Sequence, residues 1–190
     1  HHPPRHVHPV GRVRALVDES VDLSRACGRV LAEQIVAPED LPAYNHSAMD
    51  GYAVRSEDLL AASPDCPVIF PLRGRRTAGD GEPLEVAPGE AARIFTGAAL
   101  PLGADCVVMQ ERARAADGRV AFDAPARGGQ HVRARGEDVR AGQAVLEPGS
   151  VLRPYEIGLL AALGIGRVRV SRRPRIGVLT TGDERVAAGA

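Results

Sequence analysis

Lysine is absent from this sequence, so all 24 of its basic residues are arginine. Without an ε-amine these residues form no Schiff base, which excludes lysine-imine chemistry of the pyridoxal-phosphate type. The skew toward Arg, Ala, Gly and Pro also fits a GC-rich coding bias, yet its chemical consequence stands: every strong cation here is a planar fork suited to oxyanions. Neither sign of charge is in excess, because 24 acidic residues balance the basic ones. No bulk positive field therefore exists to hold nucleic acid or an anionic membrane. Cysteine is scarce: Cys27, Cys66 and Cys106 are odd in number and form no Cys-x-x-Cys pair. That argues against a disulfide framework or a zinc knuckle and for a reducing, cytoplasmic setting. No apolar run approaches the ~18 residues that span a bilayer, and no charged-then-apolar leader opens the chain. Gly-x-Ser-x-Gly, the P-loop, His-Glu-x-x-His and Gly-x-Gly-x-x-Gly are all missing, which leaves hydrolase, P-loop, zincin and Rossmann readings without support.

What is present is a folded chain of 190 residues, 44% of them hydrophobic, enough for a packed core. The histidines His1, His2, His6 and His8 read as a tag remnant or a frayed terminus. Leu23, Ala26, Cys27, Val30 and Leu31 recur at helical spacing, with Asp22 or Ser24 available as cap, and predict a helix over about Leu23–Gln34 with Cys27 in the core. Pro38 and Pro42 then force an extended connection. From Asn45 to about Val145 the pattern becomes short β-like runs between Gly and Pro: Val68–Phe70, Ala91–Phe95, Cys106–Met109 and Arg119–Phe122. After Pro148-Gly149 a second helix is predicted, with Pro154 in its first turn and Gly164 at its stop, followed by a strand over Arg167–Val170. Ile176–Leu179 reads as a buried parallel strand without neighbours, and so as disordered, as paired with another chain or, the favoured reading, as the stump of an α/β domain.

The expected fold class is mixed α+β. Residues 1–44 and 146–172 form the two parts of an elongated discontinuous helix-plus-strand domain, 45–145 an inserted small β-rich domain, and 173–190 a truncated start of an α/β domain.

Four places carry residues that chemistry could use. Ser47, Asp50 and Gly51 follow the proline-rich segment, and by themselves fit a polar turn as well as a site. Thr96 and Gly97 end an apolar run, where a hydroxyl and free N–H groups can meet an oxyanion, or where the strand simply turns. Arg127, Arg133, Arg135 and Arg140 surround Gly136-Glu137-Asp138, a mixture of forks and carboxylates that fits a solvated surface or a site for an oxyanion and Mg²⁺. Thr180, Thr181, Gly182, Asp183 and Glu184 repeat that chemistry at the end of the expected parallel strand. His46 and His131 are isolated and read as hydrogen-bonding residues.

Taken in order, four stretches resemble the molybdopterin molybdenumtransferase family, which includes MoeA and the gephyrin E-domain. They are Leu41-Pro42-Ala43-Tyr44-Asn45-His46-Ser47-Ala48-Met49-Asp50-Gly51-Tyr52-Ala53-Val54, the run from Arg93-Ile94-Phe95-Thr96-Gly97-Ala98 to Val108, Arg133-Ala134-Arg135-Gly136-Glu137-Asp138-Val139, and Pro174-Arg175-Ile176-Gly177-Val178-Leu179-Thr180-Thr181-Gly182-Asp183-Glu184. The likeness extends from about Val21 to Glu184.

The resemblance implies a Mg²⁺-dependent insertion of molybdate into adenylylated molybdopterin, with release of AMP. It also implies a homodimer whose cleft lies between the β-rich domain of one subunit and the α/β domain of the other, so these residues would hold half of a site. Carried over position by position, Asp50, Thr96, Asp138 and Glu184 are the catalytic candidates. Ser47, Gly97, Arg135, Thr181 and Gly182 are candidates for substrate binding, and Asp50 and Glu184 for Mg²⁺. A molybdopterin adenylyltransferase and acceptor molybdoenzymes are the implied partners, with neither nucleic acid nor membrane among them. The alternative is a non-catalytic dimerising or scaffolding module of the same fold.

Overall fold

The structure is a computed structural model that describes residues 17–177. In chain order its regular elements are β1 (Asp18–Asp22), β2 (Ile35–Val36), β3 (His46–Ser47), β4 (Gly51–Val54), β5 (Val68–Arg76), β6 (Ala91–Ile94), β7 (Cys106–Met109), β8 (Ala113–Ala116), β9 (Arg119–Phe122), β10 (Val132–Arg133), β11 (Ala144–Leu146), α1 (Pro154–Ala162) and β12 (Arg167–Ser171), with short 3-10 turns at Leu23–Arg25, Ser56–Leu59 and Gln110–Arg112. The described fold is thus mostly strands with one α-helix, more β than the mixed class expected from sequence. Chain contacts divide the described residues into a discontinuous unit, 17–35 with 146–177, and a continuous one, 36–145. Residues 36–44 fall in the continuous unit, where the sequence had placed the boundary after residue 44.

The continuous unit is built on a six-stranded sheet of order β7-β4-β6-β5-β9-β8. All its pairings are antiparallel except β5 with β6. Strand β5 serves two neighbours in succession: Val68–Pro71 pair with β9, and Leu72–Arg76 with β6. Alternation along β9 buries Val120 and Phe122 and exposes Arg119, the period-2 signal of a strand with one wet face. Strand β4 is buried at all four positions. Its Tyr52 and Val54 join Leu59, Phe70, Val120 and Phe122 in one cluster, while Ala53 faces Ile94, Ala98 and Val107 in another. The edge-on pair Tyr52–Phe122 and the tilted pair Phe70–Phe122, with centroids 6.1 and 5.8 Å apart, fix the larger cluster.

In the discontinuous unit β1 and β12 pair antiparallel from Asp18 opposite Ser171 to Asp22 opposite Arg167. Helix α1 starts at Pro154, where Glu156 reaches back to accept the Arg153 N–H at 2.9 Å. It places Leu160 inward, with Leu163 buried just past its end.

The helix expected over Leu23–Gln34 does not form. Only Leu23–Arg25 makes a 3-10 turn, and Gly28 at φ +76° turns the chain out of any helix. The N–H groups that a helix would use internally go to distant carbonyls: Gly28 to Leu152, Leu31 to Ser150 and Ala32 to Arg169. Apolar spacing over so short a window suits either arrangement, and long-range pairing wins. Cys27 is consequently exposed, not in the core. Of the expected Ile176–Leu179 strand, Ile176 and Gly177 carry no regular structure, and Val178 and Leu179 lie outside the described residues.

The three thiols differ in reactivity. Cys106 is buried, donates weakly to the Val54 carbonyl at 3.6 Å, and has its pKa pushed up to about 12 by burial and then by the Asp105 charge. Cys27 and Cys66 are exposed. Titration with a disulfide reagent at neutral pH should therefore modify two thiols rapidly and the third only after denaturant is added; rapid modification of Cys106 in the folded protein would contradict this burial.

Candidate functional site

The strand-ending turn after β6 and the stretch before β4 are 46 residues apart in sequence and are joined by the fold. The Asp50 Oδ1 accepts both the Thr96 N–H and the Thr96 hydroxyl, each at 2.8 Å. Gly97 N–H donates to the Ser47 carbonyl at 2.9 Å, and Ser47 N–H to the Ala98 carbonyl at 3.0 Å. The two Thr96 bonds hold the Asp50 carboxyl below the usual carboxylate range, and the Arg93 charge adds to them. Because the shift is downward, its stabilising contribution is complete above the ordinary carboxylate pKa. It is lost only as pH falls through the lowered value, so Asp50 is an anion throughout the neutral range.

Both bonds to Asp50 fall on Oδ1. The other oxygen, Oδ2, has no hydrogen-bond partner among the described residues. This geometry corrects one expectation from sequence. The N–H groups of residues 95–98 are not free for an external oxyanion: Phe95 donates to the Arg76 carbonyl, Thr96 to Asp50, Gly97 to Ser47 and Ala98 to Phe95. A carboxylate of the protein occupies the place that an anion would take. Ser47 is likewise committed. It is fully buried, and its hydroxyl donates to the Met49 carbonyl at 2.5 Å and accepts the Met49 N–H at 3.3 Å.

On its other side the same stretch meets the arginine-rich loop. Strand β3 pairs with β10, Ser47 opposite Val132 and His46 opposite Arg133. The Arg133 Nη2 donates to both oxygens of Asp138, at 2.9 and 3.0 Å, and its Nε donates to Glu137. Arg135 is exposed, with its N–H on Asn45 Oδ1 at 2.8 Å and its Nε on Asp40 Oδ2 at 2.5 Å. Asp40 is held below the usual carboxylate range by the Ala141 N–H first and by Arg135 next. Three of the four sequence stretches therefore converge around residues 45–50. The fourth carries Thr181, Gly182 and Glu184, which lie outside the described residues.

Two arginines belong to this neighbourhood that sequence reasoning gave no role. Arg93 lies over the Tyr52 and Phe95 rings, 5.1 and 4.6 Å from their centroids, and donates to the Gly51 carbonyl at 2.7 Å and to Gln110. Arg76 ends β5 beside Ile94 of β6, and its Nε is buried with no hydrogen-bond partner among the described residues. The signal for Arg93 was an arginine alternating with buried Ala92 and Ile94 in a strand. For Arg76 no local signal exists.

Among the described residues no group of three or more His, Cys, Asp or Glu is placed to hold a metal ion. The donor set fits a contribution of one carboxylate, from Asp50, and not a complete Mg²⁺ site, which needs about six oxygens. Nor is any helix of the described residues long and apolar enough to cross a membrane.

Comparison with known proteins adds to this geometry. Residues 5–164 match the family described as the MoeA N-terminal region, domains I and II. The chain is 42% identical over 177 residues to molybdopterin molybdenumtransferase 2 of Mycobacterium tuberculosis, covering 93% of this chain and 44% of that protein. It is 41% identical over 170 residues to the molybdopterin molybdenumtransferase of Synechococcus elongatus, covering 89% and 42%. The crystal structure of a molybdopterin biosynthesis MoeA protein from Pyrococcus horikoshii superposes with a TM-score of 0.79 at 39% identity, covering 83% of this chain and 42% of that one. The chain thus spans less than half the length of these relatives.

Proposed function

The chain belongs to the MoeA N-terminal region family, and from that premise we propose that it works in molybdenum cofactor biosynthesis as part of a molybdopterin molybdenumtransferase. The reaction is the insertion of molybdate into adenylylated molybdopterin, Mg²⁺-dependent, with AMP as the leaving product. The observation that carries this reading is the Asp50–Thr96 pair: a carboxylate kept ionised by two donors on one oxygen, with the second oxygen left for an external partner.

Molybdate is a dianion approaching a ligand that is already anionic, so the site must combine cationic forks with a carboxylate that can hold a proton or a cation. Arg93 and the Arg133–Asp138 pair supply that mixture beside residues 45–50. When bound, Mg²⁺ would neutralise charge on the reacting oxygens. Asp50 would offer it one oxygen, and Glu184 is the proposed second carboxylate. Thr96 positions Asp50, Ser47 and Gly97 hold the turn that positions Thr96, and Arg135 faces solvent, where it can meet an anionic substrate.

These residues carry one part of the site, and the remainder comes from an α/β domain and a second copy of the protein. A homodimer, an upstream adenylyltransferase and downstream acceptor molybdoenzymes are the corresponding partners. The 190-residue chain by itself is expected to form no cofactor from adenylylated molybdopterin, molybdate and Mg²⁺, and cofactor formation by this chain above the no-protein background would overturn the shared-site reading.

A further inference from the structure

The discontinuous unit holds a polar cavity of about 380 Å³ lined by Arg25, Arg29, Arg167 and Arg173 together with Glu19 and Asp22. That volume lies within the ~300–1,000 Å³ of ordinary small-molecule sites. Its two carboxylates are already engaged: Glu19 Oε1 with Arg29 at 2.5 Å and Asp22 Oδ1 with Arg167 at 3.3 Å. Arg25 and Arg173 make no ion pair among the described residues, so the cavity keeps two guanidinium charges in excess. A second depression, of about 410 Å³, shares Glu19 and Arg173 with the first and adds Arg172 and Arg175. Such a concentration of one sign stands out in a chain whose formal net charge is zero.

The wall is fixed as well as charged. Arg29 is buried, and its Nη2 also donates to the Ser171 carbonyl at 2.8 Å, which ties it to the end of β12. Arg167 and Asp22 face each other across the β1–β12 ladder. A rigid guanidinium at the back and unpaired ones at the rim form a receptor for an anion with several oxygens, because forks bind such groups two at a time.

We propose that this cavity binds a small phosphate compound of diphosphate size, a site that the Asp50–Thr96 chemistry does not use and whose existence does not depend on it. Binding is ionic and falls as salt rises.

The test is calorimetric titration of the 190-residue chain with inorganic pyrophosphate at low salt. It compares wild type with the double variant Arg25→Ala/Arg173→Ala, its lysine counterpart Arg25→Lys/Arg173→Lys, and the control Arg114→Ala in the continuous unit. Wild type and control should bind alike, the alanine pair should bind about tenfold or more weakly, and the lysine pair should fall between, since lysine keeps the charge without the fork. Circular dichroism of each variant reports whether the fold is kept. The proposal is overturned if wild type gives no heat, if the folded alanine pair binds as wild type does, or if Arg114→Ala weakens binding equally. It is also overturned if a short DNA duplex at the same phosphate concentration displaces pyrophosphate, because that would mark an open basic patch and not a cavity.

Discussion

Gly51→Ala is expected to destabilise the continuous unit by more than about 3 kcal/mol, enough to leave much of the protein unfolded at 37 °C. A Cβ built at Gly51 would stand 2.1 Å from the Val108 carbonyl oxygen and 2.9 Å from its carbon. Those are backbone atoms of β7, which pairs with β4 over four residues. On its other side β4 pairs with β6, so it cannot retreat from β7 without breaking a second ladder. The collision has no flexible side chain to absorb it, unlike ordinary overpacking at ~1–3 kcal/mol. It also falls next to Asp50, so the substitution should disturb the Asp50–Thr96 pair before the sheet melts. Gly158→Ala is the contrasting case: a Cβ there has no neighbour within 4 Å. It lies inside α1, where alanine should add roughly 0.5–1 kcal/mol through helix propensity. Urea unfolding of the three proteins decides between these outcomes, and a Gly51→Ala midpoint equal to that of wild type would show that the sheet yields where the geometry says it cannot.

Much of this architecture is legible in the residues themselves, and the parts that are not share a cause. Strands β7 and β9 are short apolar or alternating runs bounded by Gly and charged residues, and they occur over the expected Cys106–Met109 and Arg119–Phe122. Helix α1 announces itself through Pro154 at its first position and Gly164, at φ +71°, beyond its last turn. Leu23–Gln34 failed because its backbone donors are satisfied by Ser150, Leu152 and Arg169, more than a hundred residues away, and no local pattern reports such pairing. The site follows the same rule. Ser-Ala-Met-Asp-Gly and Thr-Gly-Ala were visible as two turns, but only the fold reveals that Asp50 occupies the N–H and hydroxyl of Thr96. Arg93 was overlooked because an arginine in a strand normally points to water, whereas this one covers two aromatic rings.

Asp50→Asn, made in the full-length protein, is expected to lower kcat/KM for cofactor formation by about 10²–10⁴-fold, the range of a positioned acid–base group, while leaving the fold intact. The amide oxygen of asparagine can still accept the Thr96 N–H and hydroxyl, so the turn keeps both of its bonds. What disappears is the negative charge and the second carboxylate oxygen. Thr96→Ala separates the two roles from the other direction. It removes the hydroxyl donor and keeps the N–H, so Asp50 remains but its pKa rises toward the ordinary carboxylate value. Only one of the two donors is lost and the carboxylate charge stays in place, so the Thr96 loss should be smaller than that of Asp50→Asn. Its signature is in pH: the acid limb of the kcat/KM profile should move to higher pH in Thr96→Ala, because the carboxylate now protonates earlier. A purely structural Thr96 would lower activity without moving that limb. If both variants keep wild-type rates while remaining folded, the Asp50–Thr96 pair is a structural staple of the turn, and the scaffolding reading of this fold takes the place of the enzymatic one.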